Sequence, residues 1–225
     1  MRYIAVIFLL VFMKISLSAQ KETNYTMLSD GGGWGIKVVQ KKGDKTILMI
    51  GNSIYNGFKG KLAKELPGYR IVAWINPFHL NSKHLHDDLV NVLQREEYDL
   101  IHFNVGLHGW EEGSIPEGQY QPLLQKYVDT LLHFCPGPKI IWSSITPITN
   151  EVKPYCTNAE LNPIIFERNQ IASGVMKNNG ILVNDLYTLC LINIEKARGD
   201  RFHWESPMYQ MIALQTASKI MEELQ

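Results

Sequence analysis

The stretch that decides the fold is Thr46-Ile47-Leu48-Met49-Ile50-Gly51-Asn52-Ser53-Ile54-Tyr55. Four of its first five residues are apolar, which predicts a buried strand, and Gly51 then breaks that strand. After Ser53, apolar residues recur at helical spacing, at Phe58, Leu62, Ala63 and Leu66. The sequence therefore predicts a strand, a turn that carries a serine, and a helix.

The turn puts the Ser53 hydroxyl in a position that favours nucleophilic chemistry. Ligands of open α/β folds bind at the carboxyl ends of the strands. The first amides of the following helix stabilise negative charge. From this stretch alone, two interpretations stay open: Ser53 is a nucleophile, or it is the N-cap residue of the helix.

Strands and helices alternate along the rest of the chain. Further strands are predicted at 69–75, 99–103, 139–143 and 181–184, and helices at 83–94, 117–135, 164–178 and 207–224. Such alternation predicts one α/β domain in which right-handed crossovers connect the strands of a parallel sheet.

The N-terminal residues differ from the rest of the chain. Arg2 precedes an apolar run at 4–12, and small residues at 16–19 offer a cleavage site, although Lys14 interrupts the pattern. This arrangement is typical of a secretory signal peptide and is too short for a membrane span. We predict a signal peptide at 1–19, a lead-in at 20–44 with a possible short strand at 36–39, and a domain at 45–225. The protein is then secreted or periplasmic, with no stable membrane anchor after cleavage.

The composition is that of an ordinary globular protein, with 45% hydrophobic and 20% charged residues and a formal net charge of zero. No basic stripe is present, so we expect no nucleic-acid partner. The three cysteines, Cys135, Cys156 and Cys190, fit no zinc pattern. Because their number is odd, at least one thiol is free or pairs with another molecule.

A metal site is not predicted either. His79, His84 and His86 lie near two aspartates, but His84 and His86 are two residues apart and diverge on a helix. The favoured interpretation of this segment is a solvated start of a helix.

A second motif, Asp200-Arg201-Phe202-His203, precedes the last predicted helix. An aspartate and a histidine three residues apart in a turn can face each other. The carboxylate can then hold the imidazole in the tautomer whose free nitrogen accepts a serine proton. Taken alone, the motif also fits a simple capped turn.

The order of these motifs resembles that of the SGNH hydrolases, the GDSL-type esterase and lipase superfamily. Gly51-Asn52-Ser53-Ile54 is similar to the Gly-Asp-Ser-Leu block of that family, and residues 200–203 are similar to its Asp-x-x-His block. Gly106-Leu107-His108-Gly109 lies where the family has Gly-x-Asn-Asp. The resemblance covers residues 46–224.

This resemblance implies a three-layer α/β/α sandwich of the flavodoxin-like kind, with a central, mostly parallel five-stranded sheet. It also implies a serine ester hydrolase without metal or organic cofactor, in which Ser53, Asp200 and His203 form the catalytic triad. The family's oxyanion hole corresponds here to the backbone amide of Ser53, the backbone amide of Asn81 in place of a glycine, and the side chain of His108 in place of an asparagine.

Two further sets of residues are candidates for substrate binding. Asn104 lies four residues before His108 and could donate to the oxyanion instead of it. Trp110 and Trp204 lie in predicted loops at the catalytic end of the sheet and could stack on a sugar ring, whereas Trp74 and Trp142 are expected in the core.

With an export signal, this favours an acetyl ester of a carbohydrate as substrate. Two alternatives remain open. One is a catalytically weak protein that binds glycans through the same cleft, and the other is a lipase or thioesterase of the same superfamily.

Overall fold

The computed structural model of the protein describes residues 34–111 and 114–225. The predicted signal peptide at 1–19 lies outside the described residues. The strands are β1 (Gly35–Gln40), β2 (Lys45–Gly51), β3 (Tyr69–Ile75), β4 (Leu100–Phe103), β5 (Lys139–Ser143) and β6 (Leu182–Asn184). The helices are α1 (Ser53–Glu65), α2 (Leu85–Leu93), α3 (Tyr120–Phe134), α4 (Asn162–Asn178), α5 (Leu186–Leu191) and α6 (Ser206–Leu224). Within the described part of the chain, no helix has the length and apolar character that a membrane crossing requires.

The strands form one sheet in the order β1-β3-β2-β4-β5-β6. Strands β2 to β6 are parallel, as predicted, and β1 pairs antiparallel with β3. The sheet has six strands instead of the expected five, because residues 35–40 of the predicted lead-in add an edge strand. Since β1 is antiparallel, its first residue, Gly35, pairs with Ile75 at the carboxyl end of β3.

Helices cover both faces of the sheet, which confirms the α/β/α architecture. Successive strand residues point to opposite faces, so Ile47 and Met49 join a core with α1 and α6. Leu48 and Ile50 join the core on the other face, with α2, α3 and α4. This burial on both sides explains why β2 is a continuous apolar run without alternation.

The strand order determines where a ligand can bind. From β2 the chain goes to β3 on one side and then returns to β4 on the other. Ligands of open α/β sheets bind at such a switch point, outside the carboxyl ends of the strands. The segments that follow β2 and β4 are those that carry Ser53 and His108.

Candidate active site

Ser53 is the first residue of α1, and its hydroxyl is not used to cap the helix. The N-cap is Asn52, whose Oδ1 accepts a hydrogen bond of 2.9 Å from the backbone N–H of Ile54. The interpretation of Ser53 as an N-cap residue is therefore wrong. The Ser53 backbone N–H belongs to the first turn, where amides have no partner within the helix.

Ser53, His203 and Asp200 form a continuous chain of hydrogen bonds. The Ser53 Oγ lies 2.9 Å from His203 Nε2, and His203 Nδ1 lies 2.9 Å from Asp200 Oδ2. Because a carboxylate only accepts, Nδ1 carries the proton and Nε2 is free to accept the serine proton. The three side chains come from the two ends of the domain and meet at the carboxyl edge of the sheet.

A tight turn between residues 197 and 204 holds Asp200 and His203. Asp200 Oδ1 accepts from the backbone N–H groups of Phe202 (3.2 Å) and His203 (2.8 Å). Arg201 has a φ of 73°, and its carbonyl accepts from the Thr149 N–H at 2.9 Å. Two backbone N–H groups of the turn therefore hold the Asp200 carboxylate next to the imidazole, and the bond from Thr149 anchors the turn itself.

Arg198 contacts the same carboxylate from the solvent side. Its Nε lies 2.9 Å from Asp200 Oδ2, and its Nη2 also donates to that oxygen. Partial burial works against the charged carboxylate. The His203 backbone N–H, the Arg198 guanidinium and the His203 side chain outweigh this effect, and they hold the pKa of Asp200 well below its usual range.

The loop after β4 carries His108, and Arg168 of α4 holds this loop in place. Arg168 Nη1 donates to the carbonyls of Gly106 at 2.8 Å and His108 at 3.4 Å, and Nη2 donates to that of Gly109 at 2.6 Å. The guanidinium also lies 5.1 Å from the ring centroid of Tyr120. One planar cation thus shapes the whole turn.

Sequence reasoning missed Arg168, although a signal was present. Arg168 lies on the buried face of α4 together with Ile165, Ala172 and Val175, and only 7% of it is exposed. A charged residue on a mostly apolar helix face is costly to bury unless it is paired, and carbonyls of the His108 loop supply that pairing here.

Gly106 is required in this loop for two reasons. Its φ is +128°, which side chains disfavour, and a Cβ there would lie 2.5 Å from the Tyr120 hydroxyl and 2.8 Å from Ile145 Cδ1. The glycine therefore allows the chain to pass closely over α3 before it reaches His108.

The side chain of His108 is partly buried in the loop after β4. It lines a cavity of about 10 Å³ together with Gly51, Asn52, Asn76 and Gly106. Its Nε2 is buried and has no hydrogen-bond partner among the described residues. Burial, with His79 and His203 nearby, lowers the pKa of His108, so the imidazole is neutral at physiological pH and keeps one N–H to donate.

Asn81 and Asn104 have different surroundings. Asn81 is exposed in the turn after β3, and its side-chain amide donates to the Ser114 carbonyl at 3.2 Å. Asn104 is buried, and its amide donates to the Ser143 carbonyl at 2.7 Å. One amide hydrogen of Asn104 is thus engaged inside the fold, and Asn104 also lines the cavity that His108 lines.

The tryptophans separate into core and site residues. Trp74 and Trp142 are in the core, as predicted. The expectation that Trp204 offers a face to a ligand is wrong, because Trp204 is only 2% exposed and packs in the core below the turn. Trp110 is half-buried, and its ring centroid lies 6.0 Å from that of Phe202. Trp110 and Phe202 therefore form an aromatic surface next to His203.

Trp34 lies next to His108 of the candidate site, which the sequence did not indicate. It precedes β1, whose antiparallel direction brings it to the carboxyl edge of the sheet. Its ring lies edge-on to His108, with centroids 6.3 Å apart. The position depends on the pairing of β1 with β3, which is not visible in the local sequence.

The other histidines and the cysteines do not form a metal site in the described ranges, where no group of three or more His, Cys, Asp or Glu is placed to hold a metal ion. His79 packs against Gly109, and His86 packs against Tyr127 of α3. Cys135 and Cys190 are buried thiols, Cys156 is exposed, and all three are free.

Comparison with known proteins gives the fold a precedent. No protein-family model and no curated protein matches the chain. Among solved structures, it is similar to the acetylxylan esterase Axe2 of Geobacillus stearothermophilus, with a TM-score of 0.62 and 13% identity over 80% of this chain and 96% of that one. It is also similar to a protein of Parabacteroides merdae described as a GDSL-like lipase, with a TM-score of 0.63 and 14% identity over 82% and 100% of the two chains. The chain therefore has the fold of the SGNH hydrolases.

Proposed function

We propose that the protein is a serine ester hydrolase that removes short acyl groups, acetyl above all, from carbohydrate esters. The observation that carries this proposal is the chain of hydrogen bonds from Ser53 through His203 to Asp200, with both distances at 2.9 Å. A serine beside a correctly oriented imidazole is the arrangement that acyl transfer requires.

The reaction proceeds in two steps. His203 Nε2 takes the Ser53 proton while Oγ attacks the ester carbonyl, and the imidazolium then gives the proton to the departing alcohol. Water then enters, gives a proton to His203 and attacks the carbonyl of the acyl-enzyme. Protonated His203 returns this proton to Ser53 Oγ as the bond to the acyl group breaks, which releases the carboxylic acid and restores the serine hydroxyl. Asp200 remains a carboxylate throughout and stabilises the imidazolium.

The negative oxygen of each tetrahedral intermediate needs donors. We assign this role to the backbone N–H of Ser53, the backbone N–H of Asn81 and the side chain of His108. For His108, the support is its neutral imidazole, its place in a cavity beside Gly51 and Asn52, and the clamp that Arg168 provides. Loss of one such donor typically costs about 10²–10³ in rate.

The preference for a short acyl group rests on the available space. The cavity that Gly51, Asn52 and His108 line has a volume of about 10 Å³, room for roughly one water molecule. An acetyl methyl group is of this size, whereas a long acyl chain requires an apolar channel.

The preference for carbohydrate rests on the aromatic surface of Trp110 and Phe202. Aromatic faces stack on the apolar faces of sugar rings. The similarity to an acetylxylan esterase agrees with this class of substrate. The apolar segment at 4–12 supports export, and the neutral net charge supports a partner other than nucleic acid.

Hydrolysis of p-nitrophenyl acetate and of acetylated xylooligosaccharides by the wild type and by Ser53→Ala tests the proposal. We expect both activities in the wild type and neither in the variant. Saccharide binding without Ser53-dependent hydrolysis would instead favour the glycan-binding alternative. The presence of His108 where the family has an asparagine supports that alternative. Preference for long-chain esters would favour a lipase or thioesterase.

A further inference from the structure

Arg198 and His203 share one oxygen of Asp200. Asp200 Oδ2 lies 2.9 Å from both Arg198 Nε and His203 Nδ1, and Arg198 Nη2 lies 3.3 Å from the same His203 nitrogen. Since Nδ1 carries a proton towards Asp200, the last contact is an approach of two N–H groups and not a hydrogen bond.

This geometry has two electrostatic consequences for His203. The guanidinium neutralises part of the carboxylate charge that stabilises the imidazolium, and it also repels the imidazolium directly. Both effects act in the same direction, because both disfavour the protonated form of His203.

We infer that Arg198 is a positioning residue for the triad. Its guanidinium weakens the stabilisation of protonated His203 by Asp200, so that His203 remains available as a base at lower pH. The inference rests on the proposed function for its role in catalysis, but the effect on His203 can be measured without turnover.

The turn itself keeps Arg198 in reach of Asp200. The Arg198 backbone N–H donates to the His203 carbonyl at 2.9 Å, and Ala197 pairs with Trp204. Because these are backbone contacts, a substitution at residue 198 retains them and removes only the guanidinium. The side chain is 53% exposed, so solvent screens its charge and the effect is moderate.

The remaining groups around His203 do not duplicate this charge. His108, from the opposite loop, has a lowered pKa and is neutral. Tyr209 of α6 has a pKa raised to about 12 by burial and is also neutral. Glu205, the N-cap of α6, is near Arg198 and is negative, so it partly offsets the guanidinium.

The test compares Arg198→Gln with the wild type in two measurements. One is the midpoint of the His203 imidazole titration, which NMR records, with His203→Gln used to identify the His203 signal. The other is the acid limb of kcat/KM for p-nitrophenyl acetate. We expect both to move to higher pH by about half to one unit, the size expected for unit charges roughly 4 Å apart in a water-like dielectric.

Two further variants sharpen the test. Arg198→Lys keeps a positive charge and should restore most of the wild-type profile. Arg201→Gln removes an equally charged side chain from the same turn, but that side chain pairs with Glu151 at 2.9 Å and not with Asp200. It should move the midpoint by less than about 0.2 unit, because exposed charges at longer distance are screened.

The possible results separate this inference from the proposed function. An unchanged His203 midpoint in Arg198→Gln, or an equal shift in Arg201→Gln, overturns the inference. A uniform loss of kcat at all pH values without a shift also overturns it and leaves a structural role. A shifted midpoint in a protein without Ser53-dependent hydrolysis supports the effect on His203 and refutes the esterase.

Discussion

His102 makes the stability of the protein depend on pH. It lies fully buried in β4, where Asn184 Nδ2 donates to its Nε2 at 3.1 Å and its Nδ1 lies 2.8 Å from the Tyr55 hydroxyl. Gln215 donates to Asn184 Oδ1 at 2.8 Å, which supports this orientation of the amide. The Nδ1 of His102 therefore carries the proton and donates to the Tyr55 hydroxyl. That hydroxyl in turn donates to Ser143 Oγ at 2.8 Å.

The size of the effect follows from the buried position. Burial lowers the pKa of His102 from 6.5 to about 3 in the folded protein. His102 therefore binds a proton less readily in the folded state than in the unfolded state. The free energy of unfolding is highest above pH 6.5, where His102 is neutral in both states, and it declines as the pH falls from 6.5 towards 3. At pH 5, which is 1.5 units below the ordinary pKa of 6.5, the free energy of unfolding is lower by about 2 kcal/mol, at about 1.36 kcal/mol for each pH unit.

Urea unfolding at pH 8 and pH 5 measures this loss. Other groups also titrate in this range, so the quantity of interest is the difference between the wild type and His102→Gln. We expect the wild type to lose about 2 kcal/mol more than the variant. His133→Gln, which removes an exposed histidine from α3, serves as the control.

An equal loss in the wild type and in His102→Gln would refute the argument. If the variant does not fold, NMR of the wild type provides the test. The His102 imidazole should remain neutral at pH 5, and a protonated ring there would contradict the buried network.

Three further predictions concern the site. His108→Ala should lower kcat/KM for acetyl esters by roughly 10²–10³, and His108→Asn, which restores an N–H donor, should recover much of it. Arg168→Met should lower the free energy of unfolding by about 2 kcal/mol or more in urea titrations, because up to three carbonyls lose their donor; an unchanged midpoint would argue against the clamp. Trp110→Ala should raise KM for acetylated saccharides and not for p-nitrophenyl acetate, whereas Trp204→Phe, a core change, should affect stability and leave that selectivity intact.

Patterns that are local in sequence predicted much of the architecture. The apolar run of β2 and the glycine that ends it are visible in ten residues, and the predicted limits of β3 and β5 agree with the structure. Helix α5 was not predicted, because six residues are too few to show a helical period. Edge strand β1 was only a possible strand in the sequence, since its pairing with β3 depends on residues 31 to 40 positions away.

What the sequence determined by itself is the order of apolar segments and turns, and with it an α/β sheet that has Ser53 at one strand end and the Asp200–His203 turn before the last helix. These features depend on neighbouring residues, so spacing is sufficient to predict them. Only the tertiary structure decided that Trp204 is buried, that Arg168 clamps the His108 loop and that Arg198 shares an oxygen of Asp200 with His203. These contacts join side chains from separate segments or depend on how a turn closes, and local spacing does not encode the distances between such atoms.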